Sequence, residues 1–434
     1  MVSFAPPLGI PEHIQRQWGQ YSPWFPIKKY KSPPKGCEIT QVNILQRHGA
    51  RYPNSDDEYG KSVKRLMHAE KFFDRKLDFL REYQYDLVVE ELLPFGASQS
   101  FEAGGAAFRR YAHLISEENI PFVRASSKSR VVHSATNWTV GFASATHQRI
   151  NPTVAVIIPE TQNNTLNSDC PNAGDGSKEK EVWLRVFAPP IAERLQKSAP
   201  GASISNEDVF NLMAMCPFES MAKQRTSDFC SLFIDEEFKQ FEYHGDVEKY
   251  YKTGYGEPLG PVQGVGYINE LIARLTGRPV EDHTQHNDSF PFPLGRTLYA
   301  DFTHENLMVA VYSAMGLYNI SDDPLSTKEM DKDRIWVASR MVPFSSRMVT
   351  ERLACGASRA SRTPRAKWIG IEASEGGNNG RQDKEYVRVL VNDAVQPLKF
   401  CGAGKDGICT LEAFVRSQRY ARRNGDGDFK KCYN

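Results

Sequence analysis

Seven consecutive residues, Arg47-His48-Gly49-Ala50-Arg51-Tyr52-Pro53, join one imidazole to two guanidiniums at a spacing that suits phosphoryl chemistry. Imidazole is a nucleophile toward phosphorus, and planar guanidinium forks bind the oxygens of a tetrahedral phosphate in pairs. Gly49 permits a tight backbone course between the charged residues, and Pro53 ends an extended run. A second cluster lies far downstream in Asp301-Phe302-Thr303-His304-Glu305-Asn306. There His304 offers a donor to a phosphate and Glu305 a proton for the leaving alkoxide. Between them, Val123-Arg124-Ala125-Ser126 runs into Ser127 and Ser129, a strand-to-helix junction whose free amides suit an anion. On spacing alone Arg124 is one more strand arginine.

The surrounding elements are those that would carry these residues to one place. Ile39 to Leu45 alternates as a buried strand, entering from Cys37 and delivering the signature at a sheet edge. Ser55 to Glu58 reads as a solvated turn, followed by a helix with Val63, Leu66, Met67, Phe73, Leu77 and Leu80 on one face. Lys61, Lys64 and Arg65 in its first turns oppose the helix dipole, which marks Lys61 as a candidate for a substrate rim. Pro94-Phe95-Gly96 reads as a turn, 97–114 as a helix, Pro121–Ser126 as a strand, and Val131, Ala135, Trp138 and Phe142 as one helix face. Thr153–Ile158 reads as a buried strand, and 160–280 as mainly helical, with a helix over 262–275 closed by Gly277. Leu298–Phe302 is a strand, with Thr303 as N-cap of a helix running from Glu305 to Tyr318. His304 and Glu305 thus sit, like the signature, where a strand ends. Further strands are expected at 335–337, 348–350 and 386–391, an exposed turn at 376–380, and an irregular Pro-rich arm over 11–36.

The bulk properties narrow the class. A chain of 434 residues with 40% hydrophobic and 25% charged side chains is an ordinary globular composition. A formal net charge of +1 makes the molecule no general magnet for polyanions, so nucleic acid is not an expected partner. No stretch is apolar enough to span a bilayer, and the amino terminus lacks the basic and apolar regions of a signal peptide. Eight cysteines without a Cys-x-x-Cys pair favour disulfides over zinc, and four Asn-x-Ser/Thr acceptors at Asn137, Asn163, Asn287 and Asn319 fit the same oxidising context. The chain therefore reads as a secreted, mature form whose signal peptide has been removed. Cys216 with Cys230 and Cys401 with Cys409 are close enough for local loops, although eight cysteines allow about 105 pairings.

The signature resembles that of the histidine acid phosphatases, Arg-His-Gly-x-Arg-x-Pro, and the likeness extends from Trp18-Gly-Gln-Tyr21 to Gly427-Asp428-Phe429. It is nearest to secreted fungal phytases, with Val391 to Leu398 similar to the basidiomycete 6-phytases. The resemblance implies an α/β fold in which a mixed-sheet domain (1–60, 115–160 and 285–434) carries a mainly helical insert (61–114 and 161–284) forming one pocket wall. It implies a phosphohistidine intermediate on His48, phosphate binding by Arg47, Arg51, Arg124 and His304, and no cofactor or metal. Asp246 to Lys252 resembles a pocket-lining stretch, making Lys249 and Lys252 candidate contacts for peripheral phosphates, with Asn306 another. Cys37 would pair with Cys355 and Cys170 with Cys432. The family pattern has His-Asp where this chain has His304-Glu305, so the proton donor is one methylene longer. The expected activity is hydrolysis of phytate by a monomeric enzyme acting on small molecules. A broad acid phosphatase is the alternative, and a phosphate-binding module without catalysis or a phosphomutase are weaker rivals.

Overall fold

The computed structural model describes residues 7–54, 56–356 and 384–434. An amino-terminal arm with one short helix, α1 (Glu12–Gln15), leads to strand β1 (Cys37–Arg47). Helices α2 (Asp56–Met67) and α3 (Pro94–Tyr111) follow, then β2 (Phe122–Ser126), α4 (Ser129–Ala145) and β3 (Val154–Ile158). Four helices, α5 (Ser177–Ser198), α6 (Asn206–Lys223), α7 (Asp235–Lys252) and α8 (Val265–Thr276), precede β4 (Leu298–Thr303) and α9 (Glu305–Met315). Strands β5 (Arg347–Cys355) and β6 (Lys384–Val391) and the two-residue strands β7 (Ala394–Val395) and β8 (Cys409–Thr410) complete one sheet. Its order is β3-β2-β4-β1-β5-β6-β7, with β8 on β6. Strands β3, β2, β4 and β1 are mutually parallel, while β5 and β6 run antiparallel. This is the mixed sheet that the sequence led us to expect.

Strand alternation divides the side chains between two cores. Val42, Ile44, Val123, Ala125, Leu298, Ala300 and Phe302 face a core shared with α3 and α4. Leu45, Tyr299 and Phe122 face the larger core built from α5 to α9. Helices α3 and α4 approach so closely that a Cβ at Gly104 would lie 1.9 Å from the Trp138 carbonyl, and one at Gly141 1.9 Å from that of Phe101. Helix α3, expected in the helical insert, therefore packs on the sheet. Helix α8 does so on the other face, where Gln41 of β1 donates to the Arg274 carbonyl at 2.9 Å.

Several local expectations are corrected. Asp56 already belongs to α2, and Pro94 opens α3, since proline lacks only an amide that a first turn does not use. Helix α2 ends at Met67. Phe73 is 64% exposed with Lys71 against its ring, while Leu77 and Leu80 sit in a separate 3₁₀ segment. β3 is an edge strand with Ile157 44% exposed, not a fully buried one. Residues 335–337 form no strand: Trp336 is buried from an irregular segment, its indole N–H bonding to the Asp246 carbonyl at 3.2 Å. The N-cap of α9 is His304, because the Thr303 hydroxyl is committed to the Leu166 carbonyl at 2.6 Å. Helix α9 stops at Met315, where Gly316 takes the left-handed conformation that ends helices. The turn expected at 376–380 lies outside the described residues. All four disulfides form as expected, joining Cys37–Cys355, Cys170–Cys432, Cys216–Cys230 and Cys401–Cys409. No described helix is long and apolar enough to cross a membrane.

Candidate active site

The parallel register of β1 and β4 sets Arg47 opposite Thr303, and the His48 amide donates to the Thr303 carbonyl at 3.0 Å. The residues that follow the two strands, His48 and His304, therefore emerge side by side, with ring centroids 5.5 Å apart. β2 and β3 end at the same edge and supply the first turn of α4 and Glu160. Carboxyl ends of parallel strands are where open α/β sheets bind ligands. Here they open on a cleft of about 440 Å³ whose lining includes Arg51, Arg130, Glu160, His304, Glu305 and Asn306. Residues 167–175 and the carboxyl end of α7 form the facing wall.

The signature loop is held by its backbone. A Cβ on Gly49 would stand 2.2 Å from the Gly96 carbonyl, so the loop needs glycine where it crosses α3. The Gly49 amide donates to Ser134 Oγ at 3.0 Å and the Ala50 amide to Gln99 Oε1 at 2.9 Å. His48 Nδ1 lies 2.8 Å from the Gly49 carbonyl, which can only accept, so the ring proton sits on Nδ1. Nε2 is buried and has no hydrogen-bond partner, leaving its lone pair available. Burial and the neighbouring Arg47, His304 and Arg51 cations hold the imidazole well below its ordinary range, outweighing Glu305, so the ring is neutral. A neutral Nε2 with a fixed proton on Nδ1 is a nucleophile.

Arg47 is anchored at one end of its guanidinium by the Gln20 and Val342 carbonyls, at 2.5 and 2.7 Å, and lies over the Phe344 ring. Its Nε is 3.0 Å from Glu305 Oε2, and its Nη2 is buried without a partner. Arg51 bonds to the Tyr52 carbonyl at 2.7 Å and leaves Nε unpaired beside the cleft. Glu305 lies 3.8 Å from His48 Nε2 and 3.6 Å from Lys249 Nζ. Burial alone would raise its carboxyl, but the Arg47, Lys249 and Arg51 cations hold it well below the ordinary range.

The residues proposed for the rim separate. Asn306 and Lys252 line the cleft. Lys249 does not: it is 2% exposed, beside the Glu305 carboxyl, and donates to Asn306 Oδ1 at 2.9 Å and Glu248 at 3.1 Å. Lys61 is exposed on α2 and is not among the cleft residues. Arg124 is also displaced from its expected role. On β2 it shares a face with Asp301 and is buried under α8, donating to Asp301 at 2.8 Å and to Glu270 at 2.6 Å. Its charge is spent inside the sheet. The arginine that reaches the cleft in its place is Arg130, in the first turn of α4, paired with Glu90 at 3.3 Å, its pKa lowered by burial and then by the nearby Arg51 cation. A signal for it existed: a base in a helix's first turn opposes the dipole, the reasoning applied above to Lys61. Among the described residues no group of three or more His, Cys, Asp or Glu side chains is placed to hold a metal ion.

The comparisons agree with this geometry. Residues 38–392 match the model of the histidine phosphatase superfamily, branch 2. Phytase A of Emericella nidulans is 38% identical over 452 aligned residues, covering 97% of this chain and 91% of that protein. One from Aspergillus terreus is 39% identical, covering 95% and 90%. Among solved structures, the phytase from D. castellii superposes with a TM-score of 0.77 at 23% identity, over 97% of this chain and 88% of that one. A Bifidobacterium longum multiple inositol polyphosphate phosphatase, in complex with inositol hexasulfate, reaches 0.65 at 14% identity, over 92% and 96%. A signature at a strand end, a neutral imidazole buried among arginines and a family match over most of the length converge: the chain belongs to the histidine phosphatase superfamily, branch 2.

Proposed function

We propose that this protein is an extracellular acid phosphatase that hydrolyses phytate through a phosphohistidine intermediate at His48. The observation that carries the reading is the neutral, unpartnered Nε2 of His48, buried among Arg47, Arg51 and His304 and 3.8 Å from Glu305, whose side chain lines the cleft. Nε2 attacks phosphorus, the bond from phosphorus to the inositol oxygen breaks, and Glu305 gives that oxygen its proton. Water then attacks the phosphohistidine with Glu305 taking its proton, releasing phosphate and restoring His48. Arg47, Arg51, Arg130 and His304 neutralise the phosphoryl oxygens. The 3.8 Å between His48 and Glu305 is narrower than reacting approaches of about 3 Å on either side of phosphorus require, so Glu305 must draw back from Arg47 as substrate enters. A glutamate has the reach to do so and still meet the leaving oxygen.

The named activities of the similar proteins support phytate as substrate, as does a cleft of sufficient size with Lys252 on its wall. The lining also holds Glu90, Glu160, Asp169 and Asp175, and Glu305, kept ionised by its cationic neighbours, can give a proton only once acid has supplied one. We read that as the reason for acid operation, with the helical segment 161–284 as the wall that holds peripheral phosphates. Four disulfides support an oxidising, extracytoplasmic setting, and we expect a monomer. The test is phosphate release in acid, without added metal, from phytate and from a simple aryl phosphate. A clear preference for phytate supports the reading. Comparable rates would make the protein a broad phosphatase, and no release from folded protein would overturn both.

A further inference from the structure

Phosphoryl transfer by His48 and Glu305 gives Glu160 no task. Its carboxylate nevertheless lines the same cleft, where an anion opposes the approach of a phosphate. The placement is built rather than incidental. Oε1 accepts from His304 Nε2 at 2.8 Å and from Ser126 Oγ at 2.9 Å. The Glu160 amide donates to Ser127 Oγ at 3.2 Å, and Asn164 Nδ2 ties Ser126 Oγ to the Ile158 carbonyl, at 3.3 and 3.1 Å. The ends of β2 and β3 are thereby pinned around this one carboxylate. It is ionised: burial raises its pKa, but the bond to His304 and that histidine's charge, with Ser126 and Lys128, bring it below the ordinary value. An ionised carboxylate only accepts, so the proton of the shared bond belongs to His304 Nε2.

We propose that Glu160 is the positioning residue of His304. By holding Nε2–H it fixes the plane of the ring and leaves Nδ1 as the nitrogen that meets a phosphoryl oxygen. A ring held in this way donates from Nδ1 only as the imidazolium, and the carboxylate on Nε2 balances that charge. His48, 5.5 Å away and neutral, competes for neither nitrogen. The inference rests on the phosphatase reading and adds a residue to it. Asp-to-His pairs elsewhere do the same work of setting tautomer and orientation.

The experiment is a double-mutant cycle read with inorganic phosphate. Its dissociation constant is measured by calorimetry in mild acid for the wild type, Glu160→Gln, His304→Ala and the double variant, and kcat/KM for phytate is taken on the same proteins. Glu160→Gln should weaken phosphate about ten-fold alone, yet by less than about two-fold in the His304→Ala background. Glu160→Ala should lose more than Glu160→Gln, which retains an acceptor for Nε2–H and Ser126 Oγ. Equal losses in both backgrounds would overturn the proposal, because Glu160 would then act independently of His304. Unchanged or tighter phosphate binding in Glu160→Gln would overturn it as well, making the carboxylate a repelling anion only. A wild type that binds phosphate but leaves phytate intact would refute the phytase reading instead, with the cycle still legible.

Discussion

Lys249→Met tests the electrostatics of the proton donor. Lys249 Nζ lies 3.6 Å from Glu305 Oε1. At that distance Coulomb's law with an effective dielectric near 20 gives about 4–5 kcal/mol, or about three pKa units. Only part of that should be lost, because Arg47 remains 3.0 Å from the carboxylate and Lys249 also serves Glu248 and Asn306. A rise of about one unit in the Glu305 pKa is the expectation. Glu305 works as a donor only when protonated, so removing the cation extends the active form to higher pH. The alkaline limb of kcat/KM for phytate, which reports the free enzyme, should move up by about one pH unit. Lys249→Arg, which keeps the charge, should leave the limb near its wild-type position. The assay is phosphate release across the acid range, with thermal unfolding as a check on fold. An unmoved or lowered limb in Lys249→Met would refute the argument. A rise in KM for phytate alone, with the pH profile intact, would return Lys249 to the rim.

Four further outcomes follow from the structure. Arg130→Ala should lower kcat/KM by about ten-fold or more with the fold intact, because it removes a charge-assisted contact in the cleft. Arg124→Ala should instead cost about 2–3 kcal/mol in unfolding experiments, by removing the charge-assisted bonds it gives to Asp301 and Glu270, which then depend on Arg274 and His286 alone for a cation. Glu305→Gln should slow phytate by about a hundred-fold or more but an activated aryl phosphate far less, and equal losses would argue against the donor role. Glu242, on α7, bonds to Ser339 and pairs with Arg334 beside Asp246, and its pKa is pushed up to about 7 by burial and by Asp246. The native state then holds a proton that the unfolded chain has released, so stability should fall as pH rises from about 4.5 toward 7, by on the order of 2 kcal/mol. Glu242→Gln should flatten that slope in denaturant titrations; a slope unchanged by the substitution would remove Glu242 as its cause.

The chemistry at the ends of β1 and β4 could be read from the chain because both are buried strands whose apolar alternation stops at the functional histidine. The Arg-His-Gly signature then needed only a parallel register to meet His304-Glu305. Arg124 and Arg130 show where reading fails. Both sit near one strand-to-helix junction, and only the pleat decides between them: Arg124 falls on the face that Asp301 occupies, under α8, while Arg130 begins the helix at the cleft. Lys249 and Lys252 likewise differ by three positions on α7, yet one is buried under Glu305 and the other lines the cleft. No local pattern announces such a difference, since it depends on which helix lies above. Ile335-Trp336-Val337 has the composition of a strand, yet Trp336 is buried from an irregular segment with its indole held by the Asp246 carbonyl. Glu160 lies in no motif at all.

The central claim is that phosphorus passes through His48 Nε2. Its most direct test is an acid-free rapid quench during turnover of phytate labelled at phosphorus, followed by digestion and mapping of the label. The account predicts a phosphoryl group on the peptide carrying His48, labile to acid and stable to base, with neither label nor phosphate release in His48→Ala. Label on a different residue, or sustained phytate hydrolysis by His48→Ala, would contradict it.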